Sequence, residues 1–142
     1  MSTAPNHLKQ PIGNNKTALI VDNDENIQRL LQGILQPLGF KTHATWSGYE
    51  ALALIKSDHL DVLLVDDYVP DLYFHDLLKR VWQLPIQPWI VVMQATAPTS
   101  EHVRQYALLG VSSVVRKHHL GELRKAVSAC CIEEPLAKTW VH

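Results

Sequence analysis

Hydrophobic positions along this chain follow two alternating rhythms. From Thr17 onward, short unbroken apolar runs trade places with stretches whose apolar residues recur every three or four positions. The first rhythm is that of buried strands and the second that of amphipathic helices. "TALIV" (17–21) is compact and β-prone. Ile27, Leu30, Leu31, Ile34, Leu35 and Leu38 then form one helical stripe, which Pro37 and Gly39 bring to an end. "FKTHAT" (40–45) alternates imperfectly and reads as a second strand. "SGYEALALIKS" (47–57) predicts a short helix with Ser47 as its N-cap. "DVLLV" (61–65) is a strand buried on both faces. "DLYFHDLLKRVWQ" (71–83) predicts a helix with Leu77, Leu78 and Val81 inward. "WIVVM" (89–93) is a fourth strand. "TSEHVRQYALLG" (99–110) is a helix capped by Thr99 or Ser100 and stopped by Gly110, and "SSVVR" (112–116) is a fifth strand. The last helix carries Leu120, Leu123, Val127, Cys130 and Cys131 on one face and ends at "EEP" (133–135).

Five strands alternating with five helices predict a doubly wound α/β domain, a parallel sheet covered on both faces. Composition narrows this picture. The chain has 142 residues, 46% of them hydrophobic, which fits one domain with a sizeable core. The expected organisation is a polar N-terminal tail over residues 1–16, the domain over 17–131, and a C-terminal tail over 132–142 in which Trp140 is placed to dock. A formal net charge of −1 carries no basic surplus, so no nucleic-acid partner is expected. No run reaches membrane-span length and the N-terminus lacks the apolar core of a signal peptide. Cys130 and Cys131, the only cysteines, read as packing residues in a reducing cytoplasm.

Candidate chemistry changes the picture more. In doubly wound sheets, ligand sites lie beyond the carboxyl ends of the strands. Those ends here carry "DND" (22–24), "DDYVPD" (66–71), "QATAP" (94–98) and Lys117 followed by His118 and His119. A dinucleotide site would need a glycine-rich turn after the first strand, where this chain has acids. An acidic edge suits a cation held by oxygen ligands. With strand order 2-1-3-4-5, Asp22 and Asp66 stand side by side and Lys117 reaches inward from the edge strand. A carboxylate so placed can act as a nucleophile and become an aspartyl-phosphate, with cation and lysine offsetting the phosphoryl charge. Taken singly, the same residues have plainer readings: Asp22, Asn23 and Asp24 as helix caps, Asp66 as the start of a turn, Lys117 as a solvated surface lysine, and His118 and His119 as surface polar residues.

The stretches "LIVDNDENIQRLLQGILQPLGF", "SGYEALALI", "DVLLVDDYVPDL" and "LGVSSVVRK" together resemble a response-regulator receiver domain of two-component signalling. The resemblance runs from about Thr17 to Cys131. It implies a flavodoxin-like fold, Mg²⁺ as cofactor, and phosphotransfer from a histidine kinase or phosphotransfer protein to a regulatory, non-enzymatic module that then switches a downstream protein partner. Carried over position by position, it makes Asp66 the phosphoacceptor, five residues after Asp61 and four before Pro70. Asp67 misses both spacings by one. Lys117, seven residues after Gly110, becomes the phosphoryl-pairing lysine. The implied metal ligands are Asp22, Asn23, Asp66 and the backbone carbonyl of Tyr68.

Several positions depart from the family pattern. Asn23 stands where a second acid is usual, which predicts weaker Mg²⁺ binding. Gln94, or Ala95 if the following loop carries no insertion, replaces the switch hydroxyl. Val114 replaces the switch aromatic, His118 the proline after the lysine, and Phe74 a glycine after strand three. Two readings follow. One is a working but atypical receiver phosphorylated on Asp66. The other is a phosphorylation-independent pseudo-receiver that acts as a protein-interaction module. In either, residues 99–131 offer a face for a homodimer.

Overall fold

The structure, a computed structural model, describes residues 15–132. Expectations for residues 1–14 and 133–142, among them the stop at "EEP" and the docking of Trp140, lie outside the described residues. The strands are β1 (Thr17–Val21), β2 (Lys41–Thr45), β3 (Val62–Asp66), β4 (Trp89–Gln94) and β5 (Ser113–Arg116). The helices are α1 (Glu25–Leu35), α2 (Gly48–Ser57), α3 (Phe74–Trp82), α4 (Ser100–Leu108) and α5 (Leu120–Ile132), with a 3₁₀ turn at Gln36–Leu38 after α1. All strand pairs are parallel, as the alternation of elements predicted, and the order is β2-β1-β3-β4-β5, that of the flavodoxin-like fold the family resemblance implies.

Side-chain alternation along the strands divides the core into two layers. Leu19, Val21, Leu63, Val65, Ile90 and Val92 face α2, α3 and Tyr106 of α4. Ala18, Ile20, Val62, Leu64, Val91 and Met93 face α1 and α5. Every residue of β3 is buried, because the strand is central and both its faces are covered. By the same alternation, Asp22 just beyond β1 and Asp66 at the end of β3 fall on the α1/α5 face. Asp66 is in register with Met93, which lies in that layer.

Local chemistry explains most boundaries. Asp24, Ser47 and Thr99 cap α1, α2 and α4 by accepting from the backbone N–H of Asn26, Glu50 and His102. Gly39 and Gly110 close the 3₁₀ turn and α4 in left-handed conformations, with φ of 98° and 83°. Three expectations need correction. Leu30 is 40% exposed, so the α1 stripe rests on Ile27, Leu31 and Leu35. Leu120 is 37% exposed, and Ala126 takes its place among the inward residues of α5. Finally, α3 begins at Phe74 rather than Asp71, because Asp71 is engaged elsewhere and Leu72 buries its side chain from within the loop.

Candidate functional site

The carboxyl edge of β1 and β3 holds two buried acids. Asp22 is 1% exposed and Asp66 6% exposed. Burial of two neighbouring carboxylates is costly unless a cation joins them. Lys117, one residue past β5, supplies that cation. Its Nζ lies 2.9 Å from Asp22 Oδ2 and 3.2 Å from Asp66 Oδ1. Its backbone N–H donates to the carbonyl of Gln94 at 2.7 Å, which fixes where the side chain starts. The structure thus brings together the three residues on which the chemical reading depended.

Asp22 is held tightly. Its backbone N–H donates to Thr45 O at 3.0 Å, its Oδ1 accepts from Asp24 N at 2.9 Å, and its carbonyl accepts from Gln28 Nε2 at 2.6 Å. Its buried Oδ2 meets the Lys117 ammonium at 2.9 Å and, among the described residues, no further donor. Asp66 is set differently. Burial, the Asp22 charge and, more weakly, Asp67 push its carboxyl up to about 6, with Lys117 only partly opposing them. Burial alone would lower the Lys117 ammonium, but the contact with Asp22 and the two carboxylate charges outweigh burial and raise it.

These features fit a divalent cation. Two buried carboxylates that share one ammonium, one of them pushed toward its neutral form, call for more positive charge than that ammonium supplies. Hard oxygen donors are the set that Mg²⁺ prefers. Among the described residues no three His, Cys, Asp or Glu side chains cluster as a metal site. The expected ligand set satisfies that finding, as it has only two carboxylates and completes itself with the Asn23 amide and the Tyr68 carbonyl.

The remaining expected residues are placed as follows. Asn23 is exposed and lines a groove of about 380 Å³ with Glu25, Gln28, Thr45, Trp46 and Pro70. Tyr68 lies two residues past Asp66 with its side chain 59% exposed. Gln94 ends β4, is 2% exposed, and donates from Nε2 to Thr96 O at 3.2 Å. Val114 is half-buried and belongs to the α2–α4 layer. Phe74 does not fill the acidic cleft. It is buried in that same layer, with its ring edge-on to Tyr106 at 5.7 Å. His118 and His119 are exposed, and no cis peptide occurs among the described residues. Asp24 is the α1 cap, so the capping alternative holds for it and not for Asp22.

Sequence reasoning missed one residue that shapes this edge. Asp71 accepts hydrogen bonds from Ser47 Oγ at 2.5 Å and Gly48 N at 2.8 Å. No sequence signal pointed to it, because its partners lie 24 and 23 residues away in another loop.

Comparison with known proteins agrees with the geometry. The family described as "Response regulator receiver domain" matches residues 18–128. Response regulator SaeR of Staphylococcus aureus is 33% identical over 100 residues, covering 70% of this chain and 42% of its own length. The chain therefore spans about two fifths of the curated relatives it matches. Among solved structures, the Leptospira biflexa HemR receiver domain superposes with a TM-score of 0.75 at 20% identity, covering 87% of this chain and 99% of that one. Response regulator TrrA of Thermotoga maritima, solved with Mg²⁺ and BeF, gives 0.69 at 23% identity, covering 81% and 98%. At these identities the two structures speak for the fold alone.

A flavodoxin-like sheet with an acid pair and a lysine at its carboxyl edge is a phosphoacceptor module of two-component signalling. The chain belongs to the response-regulator receiver domain family. Receiver domains are regulatory phosphoacceptors that interact with histidine kinases or phosphotransfer proteins and switch downstream partners. The pseudo-receiver reading is not favoured.

Proposed function

We propose that Asp66 is the phosphoacceptor of this receiver, with Asp22, Asn23, Asp66 and the Tyr68 carbonyl as the Mg²⁺ ligands and Lys117 as the phosphoryl-pairing cation. The observation that carries this is the single ammonium of Lys117 within 3.2 Å of both buried carboxylates. In the transfer, an oxygen of Asp66 forms a bond to phosphorus while the P–N bond to a donor histidine breaks. Bound Mg²⁺ would offset charge on the phosphoryl oxygens. Lys117 already spans both acids, so a short shift of its ammonium pairs it with the new phosphoryl group. The Asn23 amide keeps an oxygen donor but removes one negative charge, which makes this a weak-affinity magnesium site.

The reading extends to surroundings and partners. The donor is a histidine kinase or phosphotransfer protein, and the compartment is the cytoplasm, where such donors and Mg²⁺ occur together. Among the described residues, no helix is long and apolar enough to cross a membrane. Self-association through residues 99–131 fits the exposure of Val103 (47%) and Leu108 (77%) on α4. Magnesium titration followed by ¹H–¹⁵N NMR tests the site. Shifts concentrated at residues 22–24, 66–68 and 117, lost in Asp22→Asn, are expected. An unchanged spectrum at saturating magnesium contradicts the proposal.

A further inference from the structure

The segment between Asp66 and Phe74 supplies the Tyr68 carbonyl, and it is anchored at several points. Asp67 N donates to Met93 O at 3.0 Å. Val69 and Leu72 bury their side chains in the α2–α4 layer. Asp71 then reaches out of the loop to the start of α2, where Oδ2 accepts from Ser47 Oγ and Oδ1 from Gly48 N. Burial would raise its carboxyl, but the hydrogen bonds from Ser47 and from the Gly48 and Tyr49 backbone outweigh that and hold it below the usual range.

This contact is more than a helix cap. Ser47 already caps α2 through Glu50 N at 3.1 Å. Ser47 N donates to Thr45 Oγ1 at 3.0 Å, and Thr45 O accepts from Asp22 N at 3.0 Å. A hydrogen-bonded path thus runs from the loop of Tyr68, through Asp71 and the β2–α2 turn, to Asp22. The two loops also touch at their nearest point. A Cβ on Gly48 would stand 3.0 Å from Leu72 Cβ and 3.1 Å from Val69 Cγ1, so glycine is what permits the approach.

We propose that Asp71 is a positioning residue for the divalent cation, strapping the loop of Tyr68 to the β2–α2 turn and so fixing the Tyr68 carbonyl relative to Asp22 and Asp66. The proposal rests on the magnesium reading above. Partners one shell out from a metal ligand typically change affinity by about 10–100-fold when removed. The test is magnesium affinity by calorimetric titration of the full chain, beside metal-free thermal unfolding and amide exchange of residues 67–72. Asp71→Ala should weaken magnesium about tenfold and speed exchange of those amides. Asp71→Asn, which retains an acceptor for Gly48 N, should recover most of the affinity. If Asp71→Ala fails to fold, Ser47→Ala, which severs one of the two bonds, should show a smaller loss of affinity. Wild-type affinity in the folded variant, with only a lower melting temperature, would reduce Asp71 to a helix cap and overturn the proposal. Absence of magnesium binding in the wild-type chain would instead overturn the cation reading, and the strap's role with it.

Discussion

Asp66 carries a charge that its surroundings disfavour. Its carboxyl titrates near 6 in the folded chain against an ordinary 3.8. Below the ordinary value both states are protonated and nothing is lost. As pH rises through about 6, the folded state must hold an anion beside Asp22, and stability falls relative to a neutral side chain. Asp66→Asn is therefore expected to stabilise the metal-free protein at about pH 8, by on the order of 1–3 kcal/mol. The gap should close toward about pH 4. Urea unfolding with EDTA at both pH values reads this, and equal stabilities at the higher pH would contradict it. Asn23 invites the opposite experiment. A carboxylate about 4 Å from a doubly charged cation is worth about 8 kcal/mol at an effective dielectric near 20, and desolvation and solvent exposure reduce that considerably. Asn23→Asp should tighten magnesium by about tenfold or more in a calorimetric titration, and unchanged affinity would remove Asn23 from the ligand set. The sequence showed Asp22, Asp66 and Lys117 because strand ends announce themselves as apolar runs stopping in charge. It did not show Asp71, whose partners lie 23 and 24 residues away in another loop.

Elements differ in how firmly they are held, and that difference was only half legible. The strands read correctly because each is a short apolar run, and β3 is buried at every position. Leu64→Ala in that strand should cost about 2–5 kcal/mol in denaturant unfolding, since both neighbouring strands and α1 leave a cavity that cannot collapse. The helix α4 is another matter. Tyr106 is its one buried residue, and its ring meets Phe74, His75 and His102. Nothing in the spacing of "SEHVRQYAL" distinguishes such a lightly seated helix from a firmly packed one. Its end, by contrast, is strictly specified. At Gly110, φ is +83° and a Cβ would fall 2.2 Å from Trp82 Cε3. Gly110→Ala combines left-handed backbone strain with overpacking, and thermal unfolding should register a loss of about 2–4 kcal/mol. A near-neutral result would mean that Trp82 moves aside freely.

At the scale of the whole molecule, the two faces of the sheet do different work. The α1/α5 face ends in the acids and the lysine, while the α2–α4 face ends in Gln94, Phe74 and Tyr106 beneath a helix with exposed apolar residues. This division explains why Phe74, a bulky residue in a place the family gives to glycine, leaves the acidic cleft open. It was hidden in the sequence, because it depends on which face each residue takes after the strand ends. The proposed self-association through α4 and α5 should be sensitive to Leu108→Lys. Sedimentation of the beryllofluoride-treated protein should show the variant more monomeric than wild type, and identical profiles would place the contact elsewhere.

The central claim is chemical, that Asp66 takes a phosphoryl group with Asp22 and Lys117 arranged around it. The most direct measurement is the intact mass of the protein after incubation with magnesium and a small acyl-phosphate donor. One added phosphate in the wild-type chain, absent in Asp66→Asn and dependent on magnesium, is the predicted result. An unchanged mass at saturating magnesium, or an adduct that persists in Asp66→Asn, would contradict it.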